Sequence, residues 1–301
     1  MTELAFALIF PFSEKVSVIF EDMLYSVHLA NRDVKVYVYP EGKNGKFNKN
    51  VKFFFSLDEK HIPEDVYGFV FSSSFTTSTN NKIFRIVQPT SEYIRHLVNF
   101  ITENHKDCNF VILYPDDKYG ISAMESFVKL SSERDIKITR ALKYKAGIAD
   151  FKEYISKIKN IKNFSCVFIP DSAKASAFAI SQFAFFKLKK KFFGTNLWND
   201  LEFIRVGEKY VEDAVFVDVV EPRNYLNFSQ NMSNYFGVKT TTLAFIFLDI
   251  INNIDYELYD KCYNGLSGNF RFSEFEMKHD MFIINVNNGD FVPLHRYFAC
   301  E

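Results

Sequence analysis

Short apolar runs alternate with stretches of helical spacing between residues 109 and 200. Each apolar run stops at residues that favour turns or helix caps, chiefly Pro, Asp, Ser, Gly and Asn. The strands predicted in this way are Phe110–Tyr114, Ile136–Thr139, Ser165–Ile169 and Lys191–Phe193. Three helices are predicted between these strands. One follows the first strand, a second begins at Asp150, and a third ends at about Lys187. Strands that alternate with helices predict a parallel sheet covered on both faces.

Polar residues follow these predicted strands, where each strand ends. In open parallel sheets, ligands bind outside the carboxyl ends of the strands. These positions therefore supply the candidate ligand-binding residues of the second half of the fold. They are Asp116, Tyr119, Asp171, Ser172, Thr195, Asn196 and Trp198.

The first hundred residues follow a less regular version of the same pattern. Strands are predicted at Leu4–Pro11, Asp33–Tyr39, Val66–Phe71 and Ile83–Val87, and Val51–Leu57 fits either a strand or a helix. Helices are predicted over about 17–30 and from Thr90 or Ser91 to about Asn104. The loop after the third strand carries Ser72, Ser73 and Ser74, which add to the candidate ligand-binding residues because hydroxyls and backbone N–H groups can bind an anion. The alternative interpretation is a polar connecting loop.

The C-terminal third is predicted to cross back to the first part of the fold and to end in a hairpin. The crossing is predicted near Glu221, followed by a helix from Thr240 or Thr241 through Ile251. A turn and strand follow over Gly265–Phe272, and Met281–Val286 pairs with Phe291–Leu294. The Asn-Asn-Gly-Asp sequence between them supplies turn residues typical of a hairpin.

Composition sets limits on function. The chain has 301 residues, a net charge of −1 and a pI of about 6.6, so there is no basic excess to neutralise nucleic-acid phosphates. Its 36 phenylalanines are attributed to a biased genome composition rather than to a functional aromatic surface. The lysines at 187 and 189–191 are interpreted as a solvated helix end.

The four cysteines, at 108, 166, 262 and 300, lack the spacing of a zinc or redox motif. Cys166 lies in an apolar strand, so a buried thiol is expected there. In an oxidising compartment two alternative disulfides are considered, Cys108–Cys300 and Cys262–Cys300.

No segment is long and apolar enough to be a transmembrane helix, and Leu4–Phe12 lacks the pattern of a signal peptide. The six histidines are never four residues apart, and there is no Gly-rich phosphate loop or nucleophile elbow. No metal and no cofactor are therefore predicted. Asp116, Asp117 and Asp171 are interpreted as turn and cap residues, with acid–base chemistry as the alternative.

The segments FVILYPDDKYG, DFKEYISKIK, CVFIPDSAKAS and FFGTNLWND together resemble the second lobe of type I periplasmic binding proteins. The opening LAFALIFPFSE and the closing LSGNFRFSEFEMKHDMFIINVNNGDFVPL resemble the first strand and final hairpin of that family. The segment from Ile169 to Asp200 is closest to its penicillin-binding protein activator and ABC substrate-binding lipoprotein branch.

This resemblance implies an α/β fold of two Rossmann-like lobes with parallel sheets and a hinge. The first lobe is expected over 1–105 and 223–262, and the second over 106–222 and 263–301. The resemblance also implies an exported, non-catalytic protein of the periplasm or cell envelope. The resemblance further implies that the leader is absent from this chain, and it leaves open a membrane tether through a removed N-terminal segment or a further N-terminal domain.

The chain departs from the family in two places. Only eight residues separate Ser74 from Ile83, too few for a helix-containing crossover, so the first lobe is expected to be reduced by one helix–strand unit. Asn196 stands where amino-acid receptors of the family keep an acidic partner for the ligand's ammonium, and Ser172 falls near a lost aromatic contact. Tyr119 matches a family ligand contact, whereas Trp198 either stacks on a ligand or plugs an empty cleft.

Two main hypotheses follow. In the first, the chain is a non-enzymatic solute-binding protein-like module that holds a small molecule in the cleft between its lobes. In the second, that cleft is degenerate and the chain is a protein-interaction module. The expected protein partner is a transporter permease or a cell-wall synthase, and leucine-like amino acids are expected to bind weakly or not at all. A hydrolase that uses Asp116 and Asp171 is a remote third hypothesis.

Overall fold

The computed structural model describes residues 4–10, 14–41, 47–72, 80–255, 257–259 and 261–300. By the contacts within the chain, these residues form two compact units. The first unit lies within 1–89, 224–280 and 298–301, and the second comprises 90–223 and 281–297. Each unit is built on one mixed sheet, and both sheets are mostly parallel. The predicted α/β class with two sheet-based units is thus confirmed.

The strands of the first unit form an eight-stranded sheet in the order β11-β12-β13-β5-β4-β3-β1-β2. The five strands from β5 to β2 run parallel to their neighbours, and β13 joins them through Arg85 and Glu276. Their bounds are β1 Leu4–Phe10, β2 Val34–Pro40, β3 Phe53–Ser56, β4 Tyr67–Val70, β5 Ile83–Arg85, β11 Cys262–Asn264, β12 Asn269–Ser273 and β13 Glu276–His279.

The strands of the second unit form a seven-stranded sheet in the order β15-β14-β10-β9-β8-β6-β7. The five strands from β10 to β7 are parallel, and β14 and β15 close the sheet as an antiparallel hairpin. Their bounds are β6 Asn109–Pro115, β7 Lys137–Tyr144, β8 Cys166–Phe168, β9 Lys191–Gly194, β10 Val215–Asp218, β14 Met281–Asn287 and β15 Asp290–Tyr297.

Eight α-helices are described. Among the described residues no helix is long and apolar enough to cross a membrane. The helices are α1 Glu14–Ser26, α2 Thr90–Asn104, α3 Lys118–Ser132, α4 Lys152–Ile158, α5 Ala173–Phe185, α6 Leu201–Gly207, α7 Pro222–Phe236 and α8 Thr242–Asn253.

The two units differ from the lobe boundaries expected from sequence at three places, one of which is the C-terminal segment from Phe298, which lies in the first unit. Helix α2 lies in the second unit, because it packs on α3 and on the strands β10 and β14. Residues 263–280 lie in the first unit, because β12 and β13 extend its sheet beyond β5. A hydrophobic pattern predicts the strand but not the sheet that it joins.

Strand β4 pairs directly with β5, the next strand in the chain. The described residues of their connection, at 71–72 and 80–82, contain no helix. The rest of the connection lies outside the described residues. This arrangement agrees with the short connection read from the sequence.

Phenylalanines fill the core of the first unit. Consecutive Phe53, Phe54 and Phe55 in β3 are all buried, since both faces of this central strand are covered. Phe55 stacks on Phe69 of β4 with ring centroids 4.7 Å apart, and Phe6 of β1 stacks on Phe53 at 5.3 Å. Much of the phenylalanine content therefore serves packing.

All four cysteines are in disulfides. Cys262 is bonded to Cys300, which confirms one of the two pairings considered. Cys108 is bonded to Cys166, so the alternative Cys108–Cys300 pairing is wrong and Cys166 is not a thiol. Cys166 is fully buried as expected. It bonds to Cys108 because its strand β8 lies beside the start of β6, and β6 begins directly after Cys108.

Candidate functional site

The candidate site lies at the carboxyl edge of the second sheet. Strands β6, β8, β9 and β10 are parallel neighbours, so the residues that follow them emerge at one edge. The sheet order therefore brings six of the predicted residues to this edge, in loops that follow three adjacent strands. They are Asp116, Tyr119, Asp171, Ser172, Thr195 and Asn196.

Tyr119 and Asn196 meet across this edge. Tyr119 lies in the first turn of α3, and Asn196 begins a 3₁₀ turn directly after β9. The Tyr119 hydroxyl donates a hydrogen bond to Asn196 Oδ1 at 3.1 Å. Burial raises the pKa of Tyr119, the charges of Asp218 and Asp117 raise it further, and the side chain of Thr195 opposes the shift. Tyr119 is therefore a neutral donor at this edge.

The carboxylates after β6 act as turn and cap residues. Asp116 is exposed and accepts a hydrogen bond from the Ala146 backbone N–H at 2.8 Å. Asp117 caps α3 by accepting from the Gly120 N–H at 2.7 Å. A Cβ at position 120 would lie 2.7 Å from the Pro115 carbonyl oxygen, so this tight turn requires glycine. The turn-and-cap interpretation of Asp116 and Asp117 is thus confirmed.

Asp171 and Ser172 are engaged at the start of α5. The Tyr144 hydroxyl donates to Asp171 Oδ2 at 2.6 Å, and the Ser172 N–H donates to Asp171 Oδ1 at 2.6 Å. Burial, together with the charge of Asp171, raises the pKa of Tyr144. The Ser172 hydroxyl accepts from the Ala175 N–H at 3.4 Å and caps the helix. Both oxygens of the Asp171 carboxylate thus already have protein donors.

Trp198 is a core residue, which corrects its prediction as a ligand-stacking side chain. It has no exposed surface. Its ring stacks on Phe203 of α6 with centroids 4.5 Å apart and approaches Phe216 of β10. Gly194 makes room for it, since a Cβ there would lie 2.1 Å from the indole. The 3₁₀ turn directs this side chain inward beneath the edge, where neighbouring aromatic residues surround it.

Sequence reasoning missed two functional candidates, Asn199 and Asp218. Asp218 ends β10 and is fully buried; it accepts from Asn199 Nδ2 at 2.8 Å and from the Val219 N–H at 2.7 Å. Burial raises the pKa of Asp218 to about 7, and both hydrogen bonds oppose the shift. The run Val215–Asp218, an apolar strand ending in an acid, repeats the signal that identified the other strand ends.

Tyr93 of α2 completes the buried polar group beneath the edge. It is buried, and its pKa lies well above the ordinary value, chiefly because of burial and further because of electrostatic interaction with the nearby Asp218 and Tyr119 side chains. The edge thus has a half-exposed pair, Tyr119 and Asn196, above a buried carboxyl group. Such a surface presents neutral hydrogen-bonding groups at Tyr119 and Asn196, and the exposed Asp116 carboxylate at the same edge already accepts from the Ala146 N–H.

The serine loop belongs to the first unit. Ser72 lies two residues after the end of β4 and is half-buried. Ser73 and Ser74 lie outside the described residues, so anion binding by the three serines stays a prediction. No group of three or more His, Cys, Asp or Glu side chains that could hold a metal ion occurs among the described residues.

Comparison with known proteins identifies the fold. No family model and no curated protein matches the chain. Solved structures do match almost its whole length. A putative branched-chain amino acid ABC transporter protein from Rhodospirillum rubrum has a TM-score of 0.75 and 11% identity, covering 97% of this chain and all (100%) of that one.

Two further solved structures show the same fold. The leucine-binding protein LivK from Thermotoga maritima has a TM-score of 0.67 and 14% identity, covering 98% of this chain and 99% of that one. An ABC transporter solute-binding protein from Rhodopseudomonas palustris, in complex with 3,4-dihydroxybenzoic acid, has a TM-score of 0.68 and 12% identity, covering 99% and 98%. The chain therefore has the fold of the type I periplasmic binding proteins, as the sequence resemblance implied.

Proposed function

We propose that this chain is a non-enzymatic solute-binding module of the cell envelope that binds a small molecule through the carboxyl edge of its second sheet. The observation that carries the proposal is the match in fold, over nearly the whole chain, to substrate-binding proteins of ABC transporters. The predicted location of the ligand between two lobes stays a prediction. A transporter permease is the protein partner that this function implies.

The side chains of the edge support a solute without an ammonium group. Asn196 brings an amide instead of a charge, and the Asp171 carboxylate is already occupied by Tyr144 and the Ser172 N–H. A desolvated ammonium without a carboxylate partner costs several kcal/mol. The similar solved structures include a leucine-binding protein and one in complex with an aromatic acid, so this fold accommodates both kinds of solute.

A thermal-shift screen of the purified chain tests the proposal. The screen contains amino acids, aromatic acids, peptides, nucleotides, sugars and cell-wall fragments. A specific solute at 100 times its Kd adds roughly 2.7 kcal/mol to the free energy of unfolding. The Tyr119→Phe variant should reduce this shift, because it removes the hydroxyl that reaches Asn196. The Tyr210→Phe variant is the control, since Tyr210 is exposed on the second unit and away from the strand ends.

A second candidate function is a protein-interaction module, as in the penicillin-binding protein activators that the sequence resembles. The observation that favours it is the mutual engagement of the edge residues: Tyr119 binds Asn196, Tyr144 binds Asp171, and Trp198 is buried. This candidate predicts that the screen finds no solute and that the chain binds a purified cell-wall synthase. A stabilising solute whose effect depends on Tyr119 would contradict it.

A further inference from the structure

A cavity of about 560 Å³ lies at the opposite, amino-terminal edge of the second sheet. Its walls come from the segments that lead into β6, β8 and β9. The edge that carries Tyr119 and Asn196 is at the other ends of the same strands, so this cavity is separate from the proposed solute site.

The cavity is strongly basic. Lys106, Lys189, Lys190 and Lys191 line it together with His105, and Asp107 is the one carboxylate among the lining residues. Lys106, Lys189 and Lys191 are exposed, and within the described residues none of them pairs with a carboxylate. A chain with a net charge of −1 thus concentrates four lysines around one depression. Such a concentration of positive charge attracts anions.

Two of these cations are held in fixed positions. Lys190 Nζ donates to the Phe164 carbonyl at 2.5 Å and lies 3.8 Å from the centroid of the Phe164 ring. Lys191 Nζ lies 3.3 Å from His105 Nδ1. Burial lowers the pKa of Lys190, and burial together with Lys191 lowers that of His105. An anion in the cavity would relieve both effects, because it stabilises the protonated forms.

The sequence-based interpretation of these lysines as a solvated helix end explains part of the charge. Helices α2 and α5 do end at this edge, and cations are favoured at helix carboxyl ends. However, Lys190 contacts Phe164, which precedes a strand, and Lys191 begins β9 and contacts His105. Lys190 therefore does not serve a helix end, whereas Lys191 begins a strand and lies beside His105, directly after α2.

The disulfide pre-forms the cavity. Cys108 and Cys166 both line it, and their bond joins the segment after α2 to the start of β8. The two walls thus hold their spacing before any ligand arrives. Pre-organisation of this kind reduces the entropy lost on binding.

We propose that this cavity binds a multiply charged phosphate-class anion, from either a free phosphorylated solute or a lipid headgroup. The exposed Lys189 and Lys191 supply the charge, and Lys190 and His105 form the partly buried floor. This proposal does not depend on the proposed solute-binding function.

Isothermal titration with inorganic pyrophosphate at low ionic strength tests the site. The variant Lys189→Gln/Lys191→Gln should bind roughly 25-fold more weakly, about fivefold for each exposed charge removed. The control Lys129→Gln/Lys137→Gln removes two exposed lysines of the same unit that lie outside this cavity, and should change the affinity less than twofold. Equal losses in the two variants, or no binding by the unaltered chain, would overturn the proposal.

A second arm distinguishes the sources of the anion. The chain is sedimented with phosphatidylglycerol vesicles and with phosphatidylcholine vesicles. Sedimentation with the anionic vesicles alone, abolished by pyrophosphate and by Lys189→Gln/Lys191→Gln, assigns the site to a lipid headgroup. Pyrophosphate binding without sedimentation assigns it to a free phosphorylated solute. Sedimentation that the lysine variant leaves unchanged would contradict a role for this cavity at a membrane.

Discussion

At the scale of single residues, burial decides the chemistry of the carboxyl groups below the candidate site. Asp218 is fully buried, and its two hydrogen bonds only partly offset the cost of removing a carboxylate from water. Its pKa therefore rises from 3.8 to about 7. The proton that Asp218 holds in the folded state links stability to pH.

Replacing Asp218 by asparagine should remove this pH dependence. The folded state keeps the proton up to about pH 7, whereas the unfolded chain loses it near 3.8. The stabilisation is therefore fully present below about pH 4 and is lost as the pH rises to 7. Relative to the unaltered chain, Asp218→Asn should gain up to ~1.4 kcal/mol of unfolding free energy per pH unit in this window.

Urea unfolding of both proteins from pH 4.5 to 8 measures this difference. His96 and His279, whose pKa values burial lowers to about 4, titrate in both proteins, so the difference cancels them. Parallel stability profiles would show that Asp218 ionises normally in the folded state.

Asn196 should determine whether the chain accepts an amino acid. The unaltered chain is expected to bind leucine weakly or not at all, and Asn196→Asp should improve leucine binding tenfold or more, since a carboxylate can pair with the ammonium. The matched control is Asn160→Asp, which adds the same charge at an exposed position. Titration calorimetry measures all three proteins. Sub-micromolar leucine binding by the unaltered chain would refute the expectation.

The sequence predicts some of these residue roles and not others. Asp117 and Asp200 cap helices, and such roles are predictable because a cap is set by its immediate neighbours. Asn199, which directly precedes Asp200, donates to Asp218 instead, and Trp198 turns into the core. These two roles depend on packing between β10, α6 and the 3₁₀ turn, which local sequence does not encode.

At the scale of elements, a buried carboxylate joins α8 to the turn before β12. Asp249 accepts hydrogen bonds from the Leu266 N–H and the Ser267 N–H, each at 2.7 Å, and from the Ser267 hydroxyl. Gly265 must be glycine, because a Cβ there would lie 2.3 Å from Asp249 Oδ2. This contact holds the turn against the helix.

Removing that carboxylate should be costly. Asp249→Ala leaves the buried Ser267 N–H and hydroxyl and the part-buried Leu266 N–H without their acceptor, so it should lower the free energy of unfolding by roughly 2–5 kcal/mol. Asp255→Ala, which breaks a half-exposed ion pair with Lys261, should cost less than about 1 kcal/mol. Chemical denaturation of both variants measures the difference. Equal losses would mean that Asp249 does not fix the turn.

The Cys262–Cys300 disulfide joins β11 to the C-terminal segment of the first unit. It closes a loop with a sequence separation of 38 residues, so its removal should cost roughly 2–4 kcal/mol. The test compares Cys262→Ser/Cys300→Ser with the unaltered chain by denaturation under non-reducing conditions. An unchanged midpoint would show that hydrogen bonds alone hold this segment.

Elements with a strong local pattern were predictable. The β14–β15 hairpin has the expected turn, with Asn288 and Gly289 both at positive φ. The ambiguous segment 51–57 contains the strand β3, because its neighbours β1 and β4 cover both of its edges. Strand β13 and helix α7 were not predicted, since charged and polar residues weaken their patterns.

At the scale of the whole molecule, the alternation of strands and helices predicted the α/β class, and the sequence resemblance predicted the periplasmic-binding-protein fold. Both are confirmed by the two sheets and by solved structures that cover nearly the whole chain. The ligand does not follow from the fold, because matched structures bind chemically different solutes. Under the proposed function, a few side chains at one edge of the second sheet determine which solute binds.

The central claim is that this edge is where a solute binds. Hydrogen exchange of backbone amides, with and without the solute that stabilises the chain most, tests it directly. If a solute binds at this edge, exchange should slow in the loops that carry Tyr119, Ser172 and Asn196, which follow adjacent strands of the sheet but are distant in sequence. Protection confined to other segments, or none with any solute, would contradict it.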